Sequence, residues 1–218
     1  SRYYTGANGT VVDLMTSRND PRLDVYAWDA FGTGYAYAPA GDSELAKSTN
    51  TVGLPVWLEN GAAPLHLFSL AELHFIIAEC KARTGADASG NLAAAVQASF
   101  DDYAAATEEA LGDASAYVAA LGAPTLAEVM VQKYLAQTRD EQVQTYNDLR
   151  RCKAQGEEFV KLLNPNNSQG GQNQWPLRLP YGNSDVVSNP NVTAAFGTGN
   201  DAGNYIFTEN VWLFGGSR

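Results

Sequence analysis

The sequence predicts a mainly α-helical fold of paired helices, with long irregular loops and a few short β-strands. Three observations predict it. Apolar residues recur at three- and four-residue steps through long stretches after Ser69. Two Ser/Thr-x-x-Glu signatures, Ser69 to Glu72 and Thr125 to Glu128, stand where those stretches open. Alanines gather where neighbouring helices would need to approach closely. Composition agrees, because 218 residues at 45% hydrophobic content are enough to bury a core.

The first 64 residues carry turn signals at Asn8-Gly9, Asn19-Asp-Pro21 and Asn60-Gly61 and no sustained helical period, so they read as loops with short strands. Within them, Asp24-Val-Tyr26-Ala-Trp28 alternates, Phe31-Gly-Thr-Gly34 turns, and Tyr35-Ala-Tyr37 follows. That pattern predicts a hairpin with Tyr26, Trp28, Tyr35 and Tyr37 as cross-strand partners.

At Ser69 the texture changes. The Ser69 hydroxyl is placed to accept from the third helical amide, and the Glu72 carboxylate to reach back to the cap. Leu70, Leu73, Ile77 and Cys80 then mark one stripe, and Gly85 ends the helix. A second helix over about 90–111 has Leu92, Val96, Phe100, Tyr103 and Leu111 on its stripe, and the short link between the two makes a helical hairpin. After a short segment around Tyr117, Thr125 opens a third helix with Leu126, Val129, Met130 and Tyr134 inward. Val143, Tyr146 and Leu149 mark a fourth, ending near Gly156. Two such pairs with alanine at the crossings give tetratricopeptide-like stacking, although the distance from Ser69 to Thr125 departs from the usual repeat of ~34 residues. From Asn164 the chain turns Asn/Gln/Gly-rich, with strand-like pieces at 175–179 and 205–214. The whole is expected to be one region, 1–218, made of a loop and strand segment (1–64), helical hairpins (65–160) and an irregular end (161–218).

Charge and motifs exclude several functions. With 24 acidic and 14 basic side chains, a formal charge of -10 repels a phosphate backbone, so nucleic acid is not an expected partner. No run of ~18 apolar residues is present to span a bilayer as a helix, and Ser1-Arg-Tyr-Tyr-Thr lacks the parts of a signal peptide. Cys80 and Cys152 have no metal-ligand spacing; they read as two buried thiols, with a disulfide as the alternative. His66 and His74 belong to no metal or triad motif, and no cofactor signature occurs. Acidic neighbours at Asp101-Asp102, Glu108-Glu109 and Glu157-Glu158 read as solvated helix faces rather than an acid and a base flanking one bond. Asp148 and Arg151 stand at ion-pair spacing and read as a structural tie between the last helix and a loop.

Several short motifs occur in one order: Asn19-Asp20-Pro21-Arg22-Leu23; Ala78-Glu79-Cys80; Glu141, Tyr146, Asp148, Arg150 and Arg151; Arg178-Leu-Pro180-Tyr181; Asn189-Pro190-Asn191; and Val211-Trp212. In this order they resemble the C-terminal portion of the SusD/RagB family of outer-membrane nutrient-binding lipoproteins. The departures are an absent lipid-attachment Cys, absent first helical repeats and Tyr146 where Trp is frequent. The resemblance implies a piece of a longer surface-exposed lipoprotein of the outer membrane, tied to the membrane only by a lipid anchor that this chain does not carry. It also implies a non-enzymatic role: capture of an oligosaccharide for a SusC-like TonB-dependent barrel in Bacteroidetes-type cells. Peptide binding, known in some relatives, and a helical scaffold gripping a partner protein are the alternatives.

Sugar recognition needs aromatic faces for C–H surfaces and polar partners for hydroxyls. Trp28, Tyr35, Tyr37 and Trp57, among Asp29, Asp42 and Asn60, are the candidate ligand-binding residues. The competing use of the same rings is to pack loops onto helices. No catalytic residue and no metal ligand is expected.

Overall fold

The computed structural model describes residues 7–27, 37, 61–62, 64, 66–162, 171, 173–196 and 205–211. The chain divides into two compact units. The first comprises Ser1–Ala38 with Ser43–Leu162, the second Pro39–Asp42 with Leu163–Arg218. The described residues are mainly helical, and their only extended pairing is at the single-residue bridges Asn8 and Ala27.

In the first unit, α1 (Gly9–Ser17) lies in a stretch expected to be loop. Asn8 is its N-cap rather than a turn residue: its side-chain oxygen accepts from the Thr10 and Val11 amides at 2.9 and 3.4 Å. Val11, Val12 and Met15 then face the core. A short α2 (Leu23–Tyr26) replaces the first half of the expected hairpin strand. Asp20 and Pro21 turn the chain, and the Asp20 carbonyl and carboxylate accept from the Leu23 and Arg22 amides, which favours a helical turn over an extended strand. Trp28 and residues 31–36 of that hairpin lie outside the described residues.

Four helices and one short one follow: α3 (Leu70–Thr84), α4 (Ser89–Thr107), α5 (Ser115–Leu121), α6 (Leu126–Gln137) and α7 (Gln142–Ala154). α3 packs chiefly on α4 and α6, and α7 on α6. Gly85, at φ 74, ends α3 in the left-handed conformation that glycine adopts without strain. The expected α4 stripe is buried at Leu92, Val96, Phe100 and Tyr103, while Leu111 falls beyond the helix end.

The α3 stripe differs from expectation. Leu70, Leu73 and Ile77 are 59, 40 and 36% exposed and Cys80 is exposed, whereas Ala71, Phe75 and Ala78 are buried against Leu92, Ala95, Val96 and Val129. Both stripes keep helical spacing. The smaller one wins the interior because Ala71 and Ala78 let α3 approach its neighbours closely enough for Phe75 to fill the gap. On α7, likewise, Val143 and Tyr146 are exposed, and Thr145 and Cys152 are buried. A second core, around Val11, Met15, Tyr26, Tyr103, Val131, Tyr134 and Leu135, joins α1 and α2 to α4 and α6.

In the second unit, α8 (Asn183–Ser188), α9 (Pro190–Phe196) and α10 (Tyr205–Thr208) are short. The strand-like pieces expected at 175–179 and 205–214 are not strands among the described residues. Tyr205–Thr208 is helical, and one bond, from the Leu177 amide to the Ile206 carbonyl, joins the two pieces. Arg178 lies 5.2 and 5.3 Å from the ring centroids of Tyr181 and Tyr205, and the Tyr205 hydroxyl accepts from the Tyr181 amide.

Candidate functional site

The Asn19–Leu23 motif builds an interior clasp. Arg22 is fully buried; its Nη2 lies 2.6 Å from Asp20 Oδ2 and its Nη1 donates to Ser99 on α4. Nη2 also reaches Gln132 on α6, and the guanidinium stands 5.6 and 5.8 Å from the Phe100 and Tyr117 ring centroids. Tyr117 donates to the same Asp20 oxygen. Burial alone would raise the Asp20 carboxyl, but the charge and hydrogen bonds of Arg22 outweigh it and hold the group below its usual range.

A second ionic cluster lies between α3, α6 and α7. Glu79 on α3 receives Arg83 at 2.7 Å from its own helix and Arg151 at 2.6 and 2.9 Å from α7. Lys133 on α6 stands 2.6 Å from Asp148, which also receives Arg151 at 2.9 Å. Arg83 reaches on to Glu157 at 2.8 Å. The Asp148–Arg151 pair is therefore part of a tie between three helices, where a tie to a loop was the expectation. Burial pushes Glu79 up, and the bonds from Arg151 and Arg83 more than reverse it.

Glu72, about two turns before Glu79 on the same helix, behaves in the opposite way. Its expected return bond to the cap is replaced by Glu141, which accepts from the Ser69 amide at 3.1 Å and the Ser69 hydroxyl at 3.0 Å. The Ser69 hydroxyl still accepts from the Glu72 amide at 2.9 Å. Burial, then the charge and hydrogen bond of Glu141, push the Glu72 carboxyl up to about 7.

Glu72, Glu79, Lys133 and Asp148 line, together with Ile76 and Cys80, a cavity of about 410 Å³. Sequence alone does not reveal it, because a charged residue on an amphipathic helix ordinarily faces solvent. The signal available was the run of acidic and basic residues at helical spacing on the inner side of α3 and α7. Such a cavity can hold a polar molecule by charge-assisted hydrogen bonds.

Of the four candidate ligand residues, Trp28, Tyr35 and Trp57 lie outside the described residues. Tyr37 is half-buried: its hydroxyl donates to Asp13 Oδ2 at 3.2 Å, and its ring lies so close to Gly9 that a Cβ there would come within 2.6 Å of it. Its phenol is raised, first by that hydrogen bond and then by burial. Cys80 is an exposed thiol and Cys152 a buried one, and the two are not bonded; only Cys152 matches the expectation of a buried thiol. Among the described residues no group of three His, Cys, Asp or Glu is placed to hold a metal ion. No described helix is long and apolar enough to cross a membrane.

The chain matches no curated protein and no solved structure. A family model described as SusD-like, "Starch-binding associating with outer membrane", matches residues 1–182. That match spans the Asp20–Arg22 clasp and the Glu79–Arg151 tie, the two places where the motifs of the sequence become buried ionic structure. The chain therefore belongs to the SusD-like family of starch-binding proteins that associate with the outer membrane.

Proposed function

We propose that this chain captures an oligosaccharide at the outer-membrane surface, as part of a surface lipoprotein, and passes it unchanged to a SusC-like TonB-dependent barrel. The observation that carries this reading is the family match over residues 1–182. Three of the interior carboxylates support a binding role: Asp20, Glu79 and Glu128 are each held by an arginine and kept ionised below their ordinary range. A carboxylate so held is a poor general acid. Trp28, Tyr35, Tyr37 and Trp57 are the rings proposed to meet the sugar, with Tyr37 fixed by its seat on α1.

A glycan array beside a reducing-end assay tests the proposal. Retention of a glycan with no release of reducing ends supports it, and release by pure protein overturns it. Retention of peptides in place of glycans favours the peptide-binding alternative.

The scaffold alternative has one specific observation in its favour. It predicts apolar side chains on an open helix face, and Leu70, Leu73, Ile76 and Ile77 of α3 form one. Docking to a protein is compatible with glycan capture, because the barrel itself is a protein partner.

A further inference from the structure

We propose that the cavity between α3, α6 and α7 is a subsite for one neutral sugar residue of the oligosaccharide. The proposal rests on the glycan-binding reading and deepens it by naming where part of the ligand sits. About 410 Å³ lies within the ~300–1,000 Å³ span of small-molecule pockets, enough for a single ring rather than a chain.

The walls point to a neutral polyol. Three of the lining side chains, Glu72, Glu79 and Lys133, are more than nine-tenths buried, so the cavity is walled by ordered polar groups. Their charges are already matched: Lys133 by Asp148, Arg151 by Glu79 and Asp148, and Arg83 by Glu79 and Glu157. An entering ion of either sign would have to break one of these pairs, at several kcal/mol for a buried charge. A hydroxyl-rich molecule breaks none of them.

Hydrogen-bonding capacity remains. The Lys133 ammonium carries three N–H donors. Among the described residues it has one partner at hydrogen-bond distance, Asp148 at 2.6 Å, with Glu79 farther off at 3.8 Å. Two N–H groups are left for ligand oxygens. Carboxylate oxygens accept more than one bond each, and those of Glu79 and Asp148 stand next to these donors, the donor-beside-acceptor arrangement that suits two adjacent hydroxyls. Glu72, neutral up to about pH 7 with its one proton engaged by Glu141, adds an accepting oxygen without a competing charge. Ile76 offers an apolar patch for the C–H side of a ring, and the Gln144 and Gln155 amides stand at the α7 wall.

Cys80 supplies the test, because it is the exposed thiol and lines the cavity while Cys152 is buried. Alkylation of Cys80 by iodoacetamide is followed by mass spectrometry with saturating maltotriose, xylotriose or mannotriose. The expected result is that at least one trisaccharide slows alkylation several-fold, and that Cys80→Trp, which fills the cavity while every charged side chain is retained, weakens binding of that trisaccharide about tenfold or more by calorimetry. A trisaccharide that binds but neither protects Cys80 nor loses affinity in Cys80→Trp overturns the subsite and leaves glycan capture standing. Should Cys80→Trp fail to fold, the protection measured on the unaltered chain decides alone. Binding of none of the three sugars, with none retained on a wider glycan array, sinks both readings. Protection by a tryptic peptide mixture and by no sugar overturns the sugar assignment.

Discussion

Asp20→Asn cuts the central link of the Arg22 clasp and should cost the first unit about 3–5 kcal/mol, the usual penalty for removing one partner of a buried ion pair. The geometry accounts for the size. Asp20 Oδ1 accepts from the Arg22 amide and Nε, and an asparagine oxygen can replace it there. Oδ2 takes Arg22 Nη2 at 2.6 Å and the Tyr117 hydroxyl at 2.7 Å, and an amide NH₂ in its place sets donor against donor. The guanidinium, fully buried between Phe100 and Tyr117, then has no counter-charge in contact. Guanidinium-chloride unfolding followed by circular dichroism measures the loss. The double variant Asp20→Asn/Arg22→Met should recover at least ~1 kcal/mol, because an apolar chain between two rings suits that site better than an unpaired cation. A loss below about 1 kcal/mol for Asp20→Asn, or a double variant no better than the single one, would refute the reasoning.

Glu72 makes stability depend on pH. Its folded carboxyl titrates at about 7 against an ordinary 4.5, so the native state holds the extra proton and this contribution is complete below about 4.5 and lost as pH rises through 7. At ~1.4 kcal/mol per tenfold change in proton affinity the ceiling is roughly 3 kcal/mol. Because Glu72 borders an open cavity, we expect about 1–2 kcal/mol, seen as Glu72→Gln matching the parent at pH 5 and exceeding it at pH 8 in thermal melts; parallel curves would contradict this. Glu79→Gln leaves Arg83 and Arg151 without their shared charge and should lower the urea midpoint by an amount worth about 2–3 kcal/mol. Ser69→Ala removes both the α3 cap and an acceptor-bound hydroxyl beside Glu141, for about 1–2 kcal/mol, and an unchanged midpoint would show the cap to be idle.

What could be read from the sequence followed the range of the interaction involved. Ser69 and Thr125 announce their helices because a cap is a matter of three neighbouring residues, and both hydroxyls accept as expected. The stripe of α4 was legible because only one of its faces carries large apolar groups. α3 was not, since apolar residues occur all round it, and periodicity cannot choose between Leu70-Leu73-Ile77 and Ala71-Phe75-Ala78 without knowing how near α4 and α6 come. α1 was missed because Asn8-Gly9 serves a turn and a cap with the same side-chain bond. The candidate cavity was least legible of all. Glu72, Lys133 and Asp148 are far apart in the chain and acquire their meaning only when three helices bring them together. For the ring candidates, the structure speaks to Tyr37 alone, where the decisive neighbour is the missing side chain of Gly9.

The borrowed cap on α3 has a kinetic consequence. Because Glu141, which begins α7, holds the Ser69 amide and hydroxyl, the first turn of α3 cannot fray independently of the corner where α6 gives way to α7. Two stretches separated by most of the helical region thus open together or stay shut. Transient local openings of this part of the molecule are then rarer and larger than those of a helix sealed by its own residues.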